Sequence, residues 1–107
     1  MTGNVTHADN VISKWGTGND LEIYHDASHS YIKDAGTGHL KVQVSTLTME
    51  SPDAGETIAT FHDDGAVNLY YNDSKKFETT NTGTTVTGNI AVSGTVDGID
   101  IAARDGV

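Results

Sequence analysis

Apolar and polar side chains alternate along most of this chain, and no stretch shows the 3.6-residue spacing of an amphipathic helix. A period of two is typical of strands that bury one face. Glycine, asparagine and aspartate interrupt the alternation at short intervals, as expected for turns. The pattern therefore predicts an all-β fold of nine short strands, at residues 11–15, 20–25, 30–33, 39–45, 57–62, 66–71, 75–80, 84–87 and 90–93.

The two halves of the chain correspond when the sequence is shifted by 46 positions. Periods of about 20–50 residues indicate stacked units that bury their apolar faces against neighbours, and about three units are usually needed. Because only two copies fit, we expect partners outside the chain. The matched pairs are Ile12 and Ile58, Trp15 and Phe61, Leu21 and Val67, Ile23 and Leu69, Tyr24 and Tyr70, Asp26 and Asn72, Ser28 and Ser74, Tyr31 and Phe77, Leu40 and Val86, and Val44 and Ile90.

The repeat divides a chain that we expect to form one structural domain. The first β repeat is predicted at 1–50 and the second at 51–93, and a tail at 94–107 leads towards a next module. Residues 46–56 contain the only proline, Pro52, and are predicted to connect the repeats. In the tail, an Asp-Gly turn precedes residues 99–102, which predict the first turn of a helix.

Strong core formers are scarce. Leu, Ile, Val and Phe make up 22 of 107 residues, whereas Thr, Ser, Asn and Gly make up 41, and the net charge is −9. The apolar share lies close to the roughly 20% below which charged chains are expected to be disordered. We therefore expect that a single copy does not complete its own core.

The composition also excludes several classes of protein. No run approaches the roughly 18 apolar residues of a transmembrane helix, and the first ten residues lack the order of a signal peptide. Zero cysteines exclude disulfides and thiolate chemistry. With 6 Lys and Arg against 15 Asp and Glu, the chain is not expected to bind nucleic acid.

Three segments carry a family likeness. The run Gly-Asn-Asp-Leu-Glu-Ile-Tyr-His-Asp at 18–26, followed by Ser-Tyr-Ile at 30–32 and Gly-Thr-Gly at 36–38, resembles a module repeated in tail-fibre proteins of tailed bacteriophages, especially marine ones. Residues 63–90 resemble the companion module, and residues 92–105 resemble the segment that follows it. Ala27 stands where the module usually has glycine, and alanine disfavours positive φ, which argues against a left-handed turn there.

This resemblance implies a homotrimeric, elongated, β-rich fibre segment on the virion, made in the host cytoplasm without a secretion signal. Its partners would be itself, neighbouring fibre modules and, at the tip, a host surface glycan or protein. Trimerisation also fits the composition, because three copies that each bury one face can share a core. Mutual strand pairing would hide exposed strand edges.

Metal sites are weakly indicated. In a three-fold fibre, one inward histidine per chain would place three ligands on the axis, and two such layers would form an octahedral metal site. The sequence has no His-X-His alternation, which would place two histidines of one strand on the same side. Residues 16–21 share glycines and Asp20 with calcium-binding nonapeptide repeats, although the first glycine pair is missing and only one copy is present. The alternative is that these histidines and aspartates form turns or lie in solvent on the surface. The candidate residues are His7, His25, His29, His39 and His62, and Asp20, Asp26, Asp63, Asp64 and Asp73.

No enzyme motif is present. The sequence lacks Gly-X-Ser-X-Gly and a phosphate-binding loop. Two carboxylates on facing strands could hydrolyse a glycan, but the abundance of acidic residues is the only feature that supports this activity. Aromatic residues are a usual platform for sugars, but those that recur at the repeat period are more simply packing positions, with Tyr71 the least constrained. The aromatics are Trp15, Tyr24, Tyr31, Phe61, Tyr70, Tyr71 and Phe77.

The sequence thus predicts a structural, non-enzymatic module without a cofactor: a trimeric β-rich shaft or distal segment that supports host-receptor attachment. Turns 26–30 and 72–74 are the places where receptor contact is most expected, because turns vary while strands are fixed by packing. The alternative is a calcium-dependent or glycan-binding module of a bacterial surface adhesin.

Overall fold

The computed structural model describes residues 3–96, which form eight β-strands in two antiparallel sheets and no helix. The all-β prediction is confirmed, and the helical turn predicted at 99–102 lies outside the described residues. Within residues 3–96, there is accordingly no helix long and apolar enough to cross a membrane. The chain divides into two compact units, residues 1–43 and 44–107, each of which contains one sheet.

The first unit contains a three-stranded meander. Its strands, in spatial order, are β1 (Ser13–Trp15), β2 (Leu21–His25) and β3 (Ser30–Asp34). Residues paired across antiparallel strands share a face of the sheet. One face therefore carries the row Ser13, Ile23 and Ile32 and the row Trp15, Leu21 and Asp34. The other carries Lys14, Glu22 and Lys33 beside Tyr24 and Tyr31.

The second unit contains a five-stranded meander whose two faces differ in polarity. One row crosses all five strands through Met49, Ala59, Leu69, Phe77 and Val86, and Leu47, Phe61 and Val67 lie beside it. We call these eight residues the apolar face. The strands, in spatial order, are β4 (Thr46–Glu50), β5 (Thr57–His62), β6 (Val67–Tyr71), β7 (Ser74–Thr80) and β8 (Gly83–Val86).

On the opposite side of the sheet, a second row of side chains crosses all five strands and carries hydrogen-bonding groups. We call this row the polar face, and it consists of Thr48, Thr60, Asn68, Glu78 and Thr85. Asn68 Nδ2 donates to Thr60 Oγ1 at 3.0 Å. Alternation of apolar and polar side chains along each strand thus produces a sheet with one face of each kind, as a period of two requires.

The β1–β2 and β5–β6 hairpins have the same register after a shift of 46 positions. Ser13 pairs with Ile23, and the corresponding Ala59 pairs with Leu69; the two pairs that follow in each hairpin also correspond. The next hairpins differ. Residues 26–29 join β2 to β3, whereas two residues join β6 to β7, with an irregularity between Leu69 and Tyr70. The shorter loop and the irregularity account for the change of register.

The two-residue loop between β6 and β7 has the backbone of a type I′ turn. Asn72 and Asp73 have φ angles of 49° and 67°, and this turn needs positive φ at both central residues. Asp73 Oδ1 also accepts a hydrogen bond from Thr57 N–H at 3.0 Å. The hairpin is therefore joined to the start of β5 as well as to its own strands.

The strand predicted over residues 39–45 is wrong, and residues 46–50 form a strand where a connection was predicted. A strand requires a pairing partner, and the turn after Glu50 selects it. Ser51 N–H donates to the Glu56 carbonyl, and Ser51 Oγ and Gly55 N–H donate to Asp53 Oδ1. This turn folds residues 46–50 onto β5, and the alternating segment before them has no strand beside it.

The strand predicted at 90–93 is also wrong, since these residues follow the edge strand β8 without pairing. The other seven predicted strands occur with ends shifted by at most two residues. Their positions were fixed by turn residues on both sides, which explains the better agreement.

Very little of the described chain is buried. Among residues 3–96, Ala59 and Asn68 alone have less than a tenth of their surface exposed. Met49 is 51% exposed, and Leu69, in the central strand, is 43% exposed. In the first unit, Trp15 is 49% and Ile32 is 66% exposed. Each sheet therefore presents apolar side chains to solvent.

Candidate functional site

The loop between β2 and β3 contains a cluster of hydrogen bonds centred on Asp26. Asp26 N–H donates to the His29 carbonyl at 3.0 Å and closes the loop. Asp26 Oδ1 accepts from the N–H groups of Ser28 and His29 at 3.0 and 2.8 Å. Tyr31 donates its hydroxyl to Asp26 Oδ2 at 2.8 Å. One carboxylate thus organises the loop and holds a strand residue.

Two tyrosines stack next to this loop. Tyr24 and Tyr31 are paired across β2 and β3, with ring centroids 4.6 Å apart and planes inclined by 18°. The His29 ring lies 6.2 Å from the Tyr31 ring in a tilted arrangement. Cross-strand aromatic pairs of this kind stabilise a sheet. Both rings are half-buried and cover each other, so a structural role accounts for them.

Hydrogen bonding shifts the pKa values of the two partners in opposite directions. The pKa of Asp26 lies below 3.8, first because of the His29 N–H and then because of the Tyr31 hydroxyl and the Ser28 N–H. The pKa of Tyr31 lies above 10.0, chiefly because its hydroxyl donates to that carboxylate. The ionised carboxylate and the neutral phenol are therefore the favoured forms over a wide pH range.

Ala27 occupies the loop position where a left-handed turn was not expected. Its φ angle is 80°, so the inference from the missing glycine is wrong. The closing hydrogen bond and the two bonds to Asp26 Oδ1 fix the loop geometry around it. Alanine therefore adopts a conformation that glycine accepts at lower cost.

The histidines of the described chain are distributed and do not gather. His25 Nδ1 lies 2.9 Å from Ser30 Oγ, His7 Nε2 lies 3.4 Å from Ser13 Oγ, and His62 Nδ1 lies 3.5 Å from Thr46 Oγ1. Within residues 3–96 of one chain, no group of three or more His, Cys, Asp or Glu side chains is placed to hold a metal ion. An axial site shared by three chains stays a prediction.

The Asp20 side chain lies in a narrow space between glycines. A Cβ added to Gly36 would lie 3.1 Å from the Asp20 Cβ, and one on Gly18 would lie 3.2 Å from its Oδ1; one on Gly16 would collide with Oδ2. Gly16 also has a φ of 92°. The glycine-rich pattern that suggested calcium binding thus has a structural explanation, which is room for one aspartate beside a tight turn.

A cavity of about 390 Å³ lies in the second unit, between the β5–β6 turn and the region where β7 ends. Asp64, Gly65 and Ala66 line one side, and residues 78–81 line the other. Glu78, one of its two carboxylates, forms an ion pair with Lys75 at 3.2 Å. The cavity is lined by both polar and apolar atoms, and the ion pair with Lys75 gives Glu78 a structural role.

Sequence reasoning found Asp26 and Tyr31 but not their hydrogen bond. Asp26 was assigned to a turn and Tyr31 to packing, because the contact depends on a loop of four residues and on the pairing of Tyr24 with Tyr31. The spacing of an aspartate at a strand end and a tyrosine five residues later, across a short loop, is the signal that would have indicated it.

Comparisons of the chain with protein-family models, with curated proteins and with solved structures find no match.

Proposed function

We propose that this chain is a structural segment of a tailed-phage tail fibre that associates as a homotrimer and supports host attachment. The observation that carries the proposal is the incomplete core: apolar side chains line one face of each sheet, yet Ala59 is the only buried apolar residue among residues 3–96. Such a face is stable in water only when something covers it.

The exposure of individual side chains supports the same proposal. In the second unit, Met49 is 51% exposed, Val86 is 36% exposed, and Leu69, in the central strand, is 43% exposed. Apolar side chains of this size are among those most often buried in folded proteins. A second surface placed over this face would therefore complete its core.

The tail-fibre part of the proposal rests on sequence. The ordered likeness at 18–38 and 63–90 includes β2 and β3 of the first sheet and β6, β7 and β8 of the second. The equal registers of the β1–β2 and β5–β6 hairpins fit two copies of one unit. Repetition of a β unit along a chain is a common way to build a long support. The net charge of −9 then provides solubility for an assembly with much exposed surface.

The oligomeric state tests the proposal directly. Sedimentation equilibrium at micromolar concentration is expected to give a mass near three times 11.3 kDa, and negative-stain images are expected to show elongated particles. A well-folded single chain at the same concentration would contradict it, because the apolar faces would then be stable in contact with water.

The competing function is a calcium-dependent or glycan-binding adhesin module, in which the Asp20 carboxylate would be a ligand in place of the structural role that its glycine neighbours explain. Melting with and without EDTA separates the two. A tail-fibre segment held by protein contacts alone keeps its Tm in EDTA, whereas a calcium module loses many degrees.

A further inference from the structure

The apolar face of the second unit is continuous across the whole sheet. Met49, Ala59, Leu69, Phe77 and Val86 contribute one side chain from each strand, in register. With strands about 4.8 Å apart, this row is about 19 Å long. Ala59 is the only small member of the row, and it lies one strand away from Leu69 at the centre.

No charged residue belongs to the apolar face. The charged pair of this sheet, Lys75 and Glu78, is bound together, and Glu78 lies in the row of the polar face. A face without charge complements a second copy of itself, since no like charges meet, even though the whole chain carries −9. A cyclic assembly requires each copy to present the same surface to the others.

The polar face is unsuited to the same burial. Thr48, Thr60, Asn68, Glu78 and Thr85 offer hydroxyl, amide and carboxylate groups, and the amide of Asn68 already leaves Oδ1 without a partner in the described chain. Covering this row would remove further polar groups from water, at a cost unless each is paired. Asn68 is itself buried within its sheet, whereas Thr48 and Thr85 are exposed at the two edges. The polar face is therefore the less favourable side for a second copy to cover.

We propose that the apolar face is the surface through which copies of this chain dock, and that Leu69 lies close to the symmetry axis while the polar face points outward. This inference rests on the proposed homotrimer and assigns its contact surface. The charge argument favours a copy as the occupant, since two chains of charge −9 approach with least repulsion through faces that carry no charge.

Two neighbouring exposed residues of β4 test the assignment. Met49 belongs to the apolar face and Thr48 to the polar face. Met49→Asp is expected to weaken association at least about 100-fold, because three carboxylates would be buried together, and Thr48→Asp is expected to leave the mass unchanged. Sedimentation of both variants measures this, and far-UV circular dichroism checks that each keeps its strands.

Cysteine cross-linking provides a second measurement that does not depend on destabilisation. The chain has no cysteine of its own, so Leu69→Cys and Thr85→Cys each introduce one thiol, on opposite faces. A disulfide forms only when the two Cα atoms lie within about 7 Å. Mild oxidation is expected to produce linked pairs from Leu69→Cys and only single chains from Thr85→Cys.

The outcomes separate this inference from the homotrimer. A wild-type trimer that dissociates in Thr48→Asp but not in Met49→Asp, or that cross-links through residue 85 and not 69, overturns the apolar face and leaves the trimer standing. Equal cross-linking of both cysteine variants, or none, also overturns it. A two-chain mass with the expected pattern contradicts the trimer but supports the face, and a folded single chain overturns both.

Discussion

Ala27 shows how tertiary contacts override the preference of one residue. Its φ of 80° is in a region that costs alanine roughly 1–2 kcal/mol, yet the hydrogen bonds to Asp26 on either side hold the loop in that shape. The loop therefore contains local strain that the rest of the hairpin offsets.

Ala27→Gly is expected to stabilise the protein by about 0.5–1 kcal/mol, because relief of the strained φ exceeds the added entropy of the unfolded chain. Urea unfolding measures the change as a higher midpoint. Ala8→Gly is the control: Ala8 is exposed and does not have positive φ, so this variant is expected to lose a few tenths of a kcal/mol. Equal effects of the two substitutions would contradict the explanation.

The Asp26–Tyr31 hydrogen bond makes stability depend on pH at both ends of the scale. Since the pKa of folded Asp26 is lowered, its contribution is present above the unfolded value of about 3.9 and is lost as pH falls through the folded pKa. Since the pKa of Tyr31 is raised, its contribution is present below about 10 and is lost as pH rises through the folded pKa.

An NMR titration is expected to place the Asp26 carboxyl below 3.8, and Tyr31→Phe is expected to move it upward. Tyr24→Phe keeps the stacked ring and the hydrogen bond from Tyr31, so it serves as the matched control and should leave the titration in place. If Tyr31→Phe leaves the midpoint unchanged, the hydroxyl does not contribute to the low pKa.

At the scale of elements, the β1–β2 turn depends on a glycine for two independent reasons. Gly16 has a φ of 92°, and a Cβ there would meet the Asp20 carboxylate. Gly16→Ala is expected to destabilise the protein by about 1–3 kcal/mol. In Gly38→Ala, by contrast, the new methyl group meets nothing within 4 Å, and stability is expected to stay within about 0.5 kcal/mol.

Urea unfolding of the two glycine variants side by side checks this. A similar loss in both would mean that the cost belongs to glycine replacement in general and not to the Asp20 contact. A Gly16→Ala protein as stable as the wild type would show that the turn relaxes without cost.

The strands illustrate what alternation alone predicts. Seven of the predicted segments became strands because turn residues bound them on both sides and each has a neighbour to pair with. Residues 39–45 alternate equally well, but the turn at 51–56 brings residues 46–50 to β5 instead. Local pattern indicates which segments are able to form strands, whereas the turn selects those that pair.

The candidate site was predictable to a lesser degree. The loop at 26–30 follows from its polar residues, but the carboxylate–phenol bond requires the register of β2 on β3. Likewise, the composition predicted a shortage of core residues, and only the strand pairing revealed that the apolar side chains of the second unit form one continuous row. Side-chain contacts between strands depend on long-range pairing, which a period of two does not specify.

At the scale of the whole molecule, folding and association are expected to be coupled. If the apolar faces are covered only in the assembly, the folded state is stabilised by protein concentration. A tenfold increase in concentration is then expected to raise the Tm by about 3–7 °C for a chain of this length. Scanning calorimetry over two decades of concentration measures the effect, and a constant Tm would contradict the coupling.

The order of the strands has a consequence for how quickly each sheet forms. Every strand pairing joins segments that follow one another along the described chain, and several connecting loops are only two to six residues long. Closing a short loop costs little conformational entropy, so sheets built from such local contacts form faster than sheets that join distant strands. Formation of each hairpin is therefore expected to be fast, and in the proposed trimer the encounter between copies would be the slower stage of assembly.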